Sequence, residues 1–184
     1  HAPVAPLGAA TREAMEASHR WVMDTVAADK GSVYGVNTGF GSLATTRIDA
    51  SECRQLSRNV VVLCACGVGR PLPEDVVRAI MVIRANMFAK GHSGVRPALA
   101  QTLIDMLNAG VTPVVPEKGS LGASGDLAPL AHIAVVMARD EVAEDGGYSG
   151  QAWHRGELLS GAKAMRRAGI ERQVLEAKDG LALT

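Results

Sequence analysis

Residues 127–138 read Leu-Ala-Pro-Leu-Ala-His-Ile-Ala-Val-Val-Met-Ala, apolar all round except at His132. A segment with no polar face is not a surface helix; it is stable as a helix only when other elements wall it in. Asp126 stands at the N-cap position, where a carboxylate can accept a backbone N–H that the first turn leaves unpaired. Pro129 falls in that first turn, where a missing N–H costs little. The loop Gly119-Ser120-Leu121-Gly122-Ala123-Ser124-Gly125-Asp126 therefore delivers the chain to the positive end of a helix dipole. A site there favours developing negative charge.

Taken alone, such a loop serves equally as a plain turn, and the familiar motifs do not fit it. It has no Gly-Lys-Ser/Thr, its glycines run G-x-x-G-x-x-G, and its serine sits in Gly-Ala-Ser-Gly. That excludes a phosphate-binding P-loop, a dinucleotide fingerprint and a hydrolase nucleophile elbow.

The walls around the central helix must be aliphatic, since 47% of the 184 residues are hydrophobic and only 3% aromatic. The formal net charge is zero, which gives no reason to expect nucleic acid or an anionic membrane surface as a partner. No apolar run is long enough for a membrane span, and no secretory signal is visible. Cys53, Cys64 and Cys66 form neither a disulfide framework nor a zinc spacing, so reduced, cytoplasmic thiols are expected. The histidines are scattered, and nothing in their spacing suggests a metal.

Along the chain, Thr11 is expected to cap a helix to about Asp29, with Met15, Trp21, Val22 and Val26 on its apolar side. Val33–Gly41 holds Tyr34 and Phe40 among three glycines and cannot be a helix interior. It is either a surface turn or a mobile, lid-like loop with few anchors that presents Tyr34. Ser51 is expected to cap a helix over Glu52 to about Ala65, with a short linker between Pro71 and Pro73. Further helices are expected from Val76 to Lys90, stopped by Gly91, and from Pro97 to Gly110. Val111–Pro116 reads as extended, Asp140–Gly150 as an exposed turn or hairpin, and Gly156–Ala168 as a helix carrying Leu158, Leu159 and Met165. Gln173–Leu183 gives mixed signals. About six helices and little strand make the fold class mainly α, in one domain over 1–184.

Four stretches, taken together, resemble the aromatic amino acid lyase family. They are Tyr34–Gly41 (YGVNTGFG), Ala89–Arg96 (AKGHSGVR), Pro116–His132 (PEKGSLGASGDLAPLAH) and Ala177–Leu183 (AKDGLAL). The family comprises histidine, phenylalanine and tyrosine ammonia-lyases and related aminomutases, and the histidine branch is nearest in wording. The resemblance runs in register over nearly the whole chain, and Gly-Ala-Ser-Gly-Asp is its most specific block.

The resemblance implies that Ala123-Ser124-Gly125 cyclises with loss of two waters into 4-methylidene-imidazol-5-one (MIO), so that no external cofactor is needed. Glycine at 125 eases the bend that brings its nitrogen to the Ala123 carbonyl carbon, and Gly122 and Asp126 support the loop. The implied reaction takes an L-aromatic amino acid or L-histidine, removes a β-proton through Tyr34 and expels ammonia to leave an α,β-unsaturated acid. A phenol ordinarily titrates near ~10, so the site must favour the phenolate.

Gly41, Leu63 and Cys64 match substrate-binding positions. Histidine and tyrosine lyases of the family commonly carry Ser-His at the Leu63-Cys64 position, which leans this chain toward a less polar aromatic side chain. Equally, the pair simply finishes an apolar helix. The family continues into an Asn-Gly-Thr segment and a helical region that builds a homotetramer with shared sites. The chain thus resembles an N-terminal portion, a fragment or one subunit of a split enzyme. Aminomutase activity, or a catalytically silent folding or interaction module, are the alternatives.

Overall fold

The computed structural model describes residues 3–28, 30–119, 126–143 and 146–184. Seven helices and seven short strands lie in these residues, in keeping with a mainly α class. Helix α1 spans Ala9–Ala28 and buries Met15, Val22 and Val26. Its first backbone bond runs from Arg12 N–H to the Gly8 carbonyl at 3.0 Å, so Thr11 lies inside the first turn and is not the cap. Trp21, one position round from Val22, is 59% exposed and is not part of the apolar side. Asp29, the expected end of this helix, lies outside the described residues.

Helix α2 spans Cys53–Cys64. A 3-10 turn, Ala50–Glu52, precedes it, so Ser51 sits within that turn and the expected Ser51 cap is replaced by backbone pairing of Glu52 N–H with the Asp49 carbonyl. Strand β1 (Val68–Pro71) ends at the first residue of the expected Pro71–Pro73 linker, which leads into the next helix. Helix α3 (Glu74–Phe88) buries Val77, Met81, Ala85 and Phe88, and Gly91 ends it at φ 74. Helix α4 (Pro97–Ala109) starts with its proline at N1 and stops at Gly110 in the left-handed region. Strands β2 (Val111–Pro113) and β3 (Pro116–Lys118) then lead toward α5 (Leu127–Met137).

Helix α5 is the centre of the molecule. Ala128, Ala131 and every residue of Ile133–Met137 are buried, and Ile133–Met137 share one core with Met81, Phe88, Leu99, Leu103, Met106 and Met165. Asp126 occupies the N-cap position with extended backbone (φ −99, ψ 92), but its side chain makes no capping bond.

Strand β4 (Ala138–Arg139) follows α5, and the turn expected after it includes residues 144 and 145, which lie outside the described residues. The next stretch corrects the sequence reading. Strands β5 (Gln151–His154) and β6 (Glu157–Ser160) form a hairpin, and only Gly161–Arg167 is helical (α6). Arg155 and Gly156 both have positive φ, 52 and 79, the requirement of a two-residue type I′ turn. Gly156 is therefore a turn residue, and the buried Leu159 beside the exposed Leu158 is strand alternation. Ser160 caps α6, accepting the Lys163 N–H at 3.4 Å.

The hairpin extends β2 into an antiparallel β2-β5-β6 sheet; β1 pairs antiparallel with β3, and β4 pairs parallel with β7 (Gln173–Val174). Helix α7 (Asp179–Leu183) closes the described chain. It lies so close to α2 that a Cβ on Gly180 would stand 2.1 Å from the Ser57 carbonyl oxygen. Among the described residues no helix is long and apolar enough to cross a membrane.

Candidate active site

The loop bearing Tyr34 is pinned by its own polar side chains. Asn37 Oδ1 accepts the Val33 N–H at 2.7 Å, Asn37 Nδ2 donates to the Gly31 carbonyl at 3.0 Å, and Thr38 Oγ1 accepts the Gly35 N–H at 3.1 Å. Ile48 N–H donates to the Asn37 carbonyl and Gly39 N–H to that of Thr46, tying the loop to the next segment. Val36, Asn37 and Thr38 are all buried. These anchors overturn the expectation of a loop with few of them, and they hold the backbone on both sides of Tyr34. Gly35 has φ 68, and a Cβ there would overlap the Leu181 side chain at 2.2 Å, so glycine at this position lets α7 seat against the turn.

Tyr34 itself is half-exposed, its ring edge-on to Phe40 with centroids 6.2 Å apart. Gly41 N–H donates to its hydroxyl oxygen at 3.4 Å, a long contact.

Tyr34 stands at a cavity of about 680 Å³. Phe40 and Gly41 come from its own loop, Val60 and Cys64 from the last turns of α2, and Arg84 and Met87 from α3. Asp126, Leu127 and Leu130 bring in the start of α5, while Lys178, Leu181, Ala182 and Thr184 form the α7 side. Of the residues singled out from the sequence, Tyr34, Gly41, Cys64 and Asp126 thus converge on one space. Leu63 does not line it: its side chain is 76% exposed, one position round α2 from Cys64. Gly122, Ala123, Ser124 and Gly125 lie outside the described residues.

The flanks of that loop meet at the start of α5. A Cβ on Gly119 would sit 2.8 Å from Asp126 Oδ1, and 3.0 Å from both Ala128 Cβ and Pro129 Cδ. Residues 119 and 126 are therefore packed together, and Asp126 lines the cavity. His132, one turn further along α5, accepts the Gly67 N–H on Nε2 at 3.0 Å and ties the α2–β1 turn to the same helix. Accepting that bond requires a neutral Nε2, and burial pushes the imidazole pKa down, in agreement.

Sequence reasoning assigned no role to the charged residues of the α3 and α7 walls. Arg84 donates to the Ala182 carbonyl at 3.1 Å and lies over the Phe88 ring. Lys178 adopts the left-handed conformation (φ 73), uncommon for a residue with a side chain, and burial pushes its ammonium pKa down against the pull of Asp179. The signal for Lys178 lay in the Ala177–Leu183 block, which was matched as a segment without a chemistry attached, whereas Arg84 lies in no quoted block.

Behind α7, Asp179 is wholly buried, with Oδ2 accepting the Glu176 N–H at 2.8 Å and paired with Arg96 Nη2 at 3.3 Å. Glu176 in turn pairs with His19 at 3.0 Å, linking this segment to α1. Burial raises the Asp179 carboxyl to about 6 despite Arg96, because the ion pair reaches only one oxygen. Its Oδ1 has no hydrogen-bond partner among the described residues.

This arrangement offers a phenol oxygen, desolvated cations and a helix start around a cavity of about 680 Å³. Comparison with known proteins places the chain's family. Over 167 residues the chain is 48% identical to histidine ammonia-lyase of Alkaliphilus metalliredigens, covering 91% of this chain and 31% of that protein. Phenylalanine aminomutase of Pantoea agglomerans superposes with a TM-score of 0.85 at 33% identity, over 100% of this chain and 33% of that one. Histidine ammonia-lyase of Trypanosoma cruzi superposes at 0.80 and 31% identity, over 96% and 32%. The chain thus spans about a third of the length of these relatives. The aromatic amino acid lyase family model matches residues 2–184, and on that match, the shared fold and the relatives' identity the chain belongs to the aromatic amino acid lyase family.

Proposed function

We propose that this chain supplies the electrophile and the base of an ammonia-lyase that converts L-histidine or an L-aromatic amino acid into an α,β-unsaturated acid. The observation that carries the reading is the convergence of Tyr34, Gly41, Cys64 and the start of α5 on one cavity. The residues flanking the loop fit an MIO ring made from Ala123, Ser124 and Gly125. Gly119 is packed against Asp126, Ala128 and Pro129 with no space for a side chain, a cradle that fixes both loop ends beside the N-terminus of α5. The ring, once formed, supplies an electrophilic carbon for the substrate amine, and the α5 N-terminus favours negative charge at the loop.

The remaining chemistry belongs to described side chains. Tyr34 takes the β-proton at its phenol oxygen, with Gly41 N–H beside that oxygen and Phe40 holding the ring edge-on. Cys64, Val60 and Met87 offer a weakly polar wall to the substrate ring. The names of the histidine ammonia-lyase relatives support histidine; Cys64, a soft and small side chain, supports a less polar ring. Residues beyond this chain, in a homotetramer like that of the family, complete the site in this reading.

A second reading, a 2,3-aminomutase, is favoured by the superposition on phenylalanine aminomutase. Incubation of the full-length protein with L-histidine, L-phenylalanine and L-tyrosine separates the two: a lyase accumulates urocanate or an arylacrylate, an aminomutase a β-amino acid. Mass analysis of the peptide containing Ala123–Gly125 should show loss of two waters, and Ser124→Ala should remove both that loss and turnover. An unmodified peptide, or turnover surviving in Ser124→Ala, would sink the reading.

A further inference from the structure

Immediately after α2 the backbone folds back on itself. Ala65 has φ −78 and ψ 54, and across it Cys66 N–H donates to the Cys64 carbonyl at 2.8 Å. These are the dihedrals and the bond of an inverse γ-turn. The turn shortens two Cα–Cα steps of ~3.8 Å to roughly 5.5 Å end to end. A disulfide spans about 4.4–6.8 Å between Cα atoms.

The turn is held from both sides. Ala65 N–H donates to the Val62 carbonyl at 3.3 Å, and Gly67 N–H to His132 Nε2 at 3.0 Å. A Cβ on Gly67 would stand 3.2 Å from the Lys118 carbonyl oxygen, so the strand beside it leaves the turn little room to open. Both thiols are free, Cys66 exposed and Cys64 half-buried in the cavity wall. Burial, and then the neighbouring Cys66, push the Cys64 thiol pKa up, which makes the exposed Cys66 the thiol that meets an oxidant first. Cys53 has no part in this, being buried with its sulfur 3.4 Å from the Val36 and Asp49 carbonyls.

We propose that Cys64 and Cys66 form a reversible disulfide, made by exchange with a glutathione-type disulfide, that gates the cavity by drawing Cys64 out of its wall. The bond formation rests on the turn; the effect on turnover rests on the lyase reading of the cavity. The Cys66 thiolate attacks one sulfur of the oxidised glutathione, breaking its S–S bond and releasing one glutathione thiolate. The Cys64 thiolate then attacks the Cys66 sulfur of the mixed disulfide and expels the second glutathione. Two protein thiols are oxidised, one glutathione disulfide is reduced to two thiols, and the two protons pass to the departing thiolates.

The test is thiol mapping and kinetics on the full-length protein, equilibrated with reduced or with oxidised glutathione, alkylated and digested. The expected result is a peptide whose Cys64 and Cys66 resist alkylation and together lack two hydrogens, with Cys53 still alkylated. With it, kcat/KM falls roughly ten- to hundredfold and returns on reduction by dithiothreitol. Cys66→Ser and Cys66→Ala should keep the reduced kcat/KM in both buffers. Alkylation of both thiols after exposure to oxidised glutathione overturns the proposal. So does a Cys66–glutathione adduct that never resolves, or a Cys64–Cys66 bond that leaves kcat/KM unchanged. Absence of turnover in both buffers defeats the lyase reading instead, and the mapping still decides whether the bond forms.

Discussion

Asp179→Asn is expected to stabilise the protein at neutral pH and to do nothing comparable at pH 4. Asp179 lies behind the cavity, wholly buried, with burial holding its carboxyl at about 6. An unfolded aspartate titrates near ~3.9. Between those values the folded protein binds the proton more tightly than the unfolded chain, so stability contributed by this group declines as pH rises through that window and is flat above it. A gap of about two pKa units at ~1.36 kcal/mol each amounts to roughly 3 kcal/mol. Arg96 and Glu176 N–H oppose the effect and His19 adds to their pull, but Glu176 repels, and the balance is the net value already given.

Asparagine stands in for the protonated acid, keeping an oxygen for the Glu176 N–H. The assay is the urea midpoint of the full-length wild type and variant at intervals from pH 4 to pH 7. The gap between the two curves should widen in favour of Asp179→Asn by up to roughly 3 kcal/mol as pH rises. Any constant offset from packing drops out of that comparison. Parallel curves would refute a raised carboxyl, and a gap that widens in favour of wild type would show that the Arg96 pair outweighs burial.

Tyr34→Phe should lower kcat by about 10²–10⁴-fold, the usual share of a general base, while the Ala123–Gly125 peptide still lacks two waters by mass; near-normal turnover would remove Tyr34 from the reaction. Gly180→Ala places a methyl where the Ser57 carbonyl oxygen lies 2.1 Å away, so backbone must move. It should lower stability by about 1–3 kcal/mol or more and raise hydrogen exchange in α7, and an unchanged denaturation midpoint would refute the close approach of α7 to α2.

Much of this was legible in the residues themselves. The apolar ring of 127–138 demanded burial, and α5 is the buried centre of the core. Pro97 and Gly110 bound α4 because an N1 proline and a left-handed glycine act locally, through one residue's own dihedrals. The Gly-Ala-Ser-Gly-Asp block pointed to the family before any fold was known, and the family match bears that out. Local signals failed where two local rules competed. Gly156 reads as the first residue of a helix running to Ala168, yet the hairpin is settled by Arg155 and Gly156 both adopting positive φ and by β5 finding β2 as a partner.

The convergence of Tyr34, Gly41, Cys64 and Asp126 on one cavity has no trace in any single segment, since it depends on how α2, α5 and the Tyr34 loop pack. So do the Lys178 and Arg84 contributions and the buried Asp179. Sequence by itself determined where most of the helices run, because capping, turn dihedrals and hydrophobic period act over a few residues. Tertiary structure alone decided which side chains share a space and which charges lose water, because burial and contact between distant segments arise only when the chain packs.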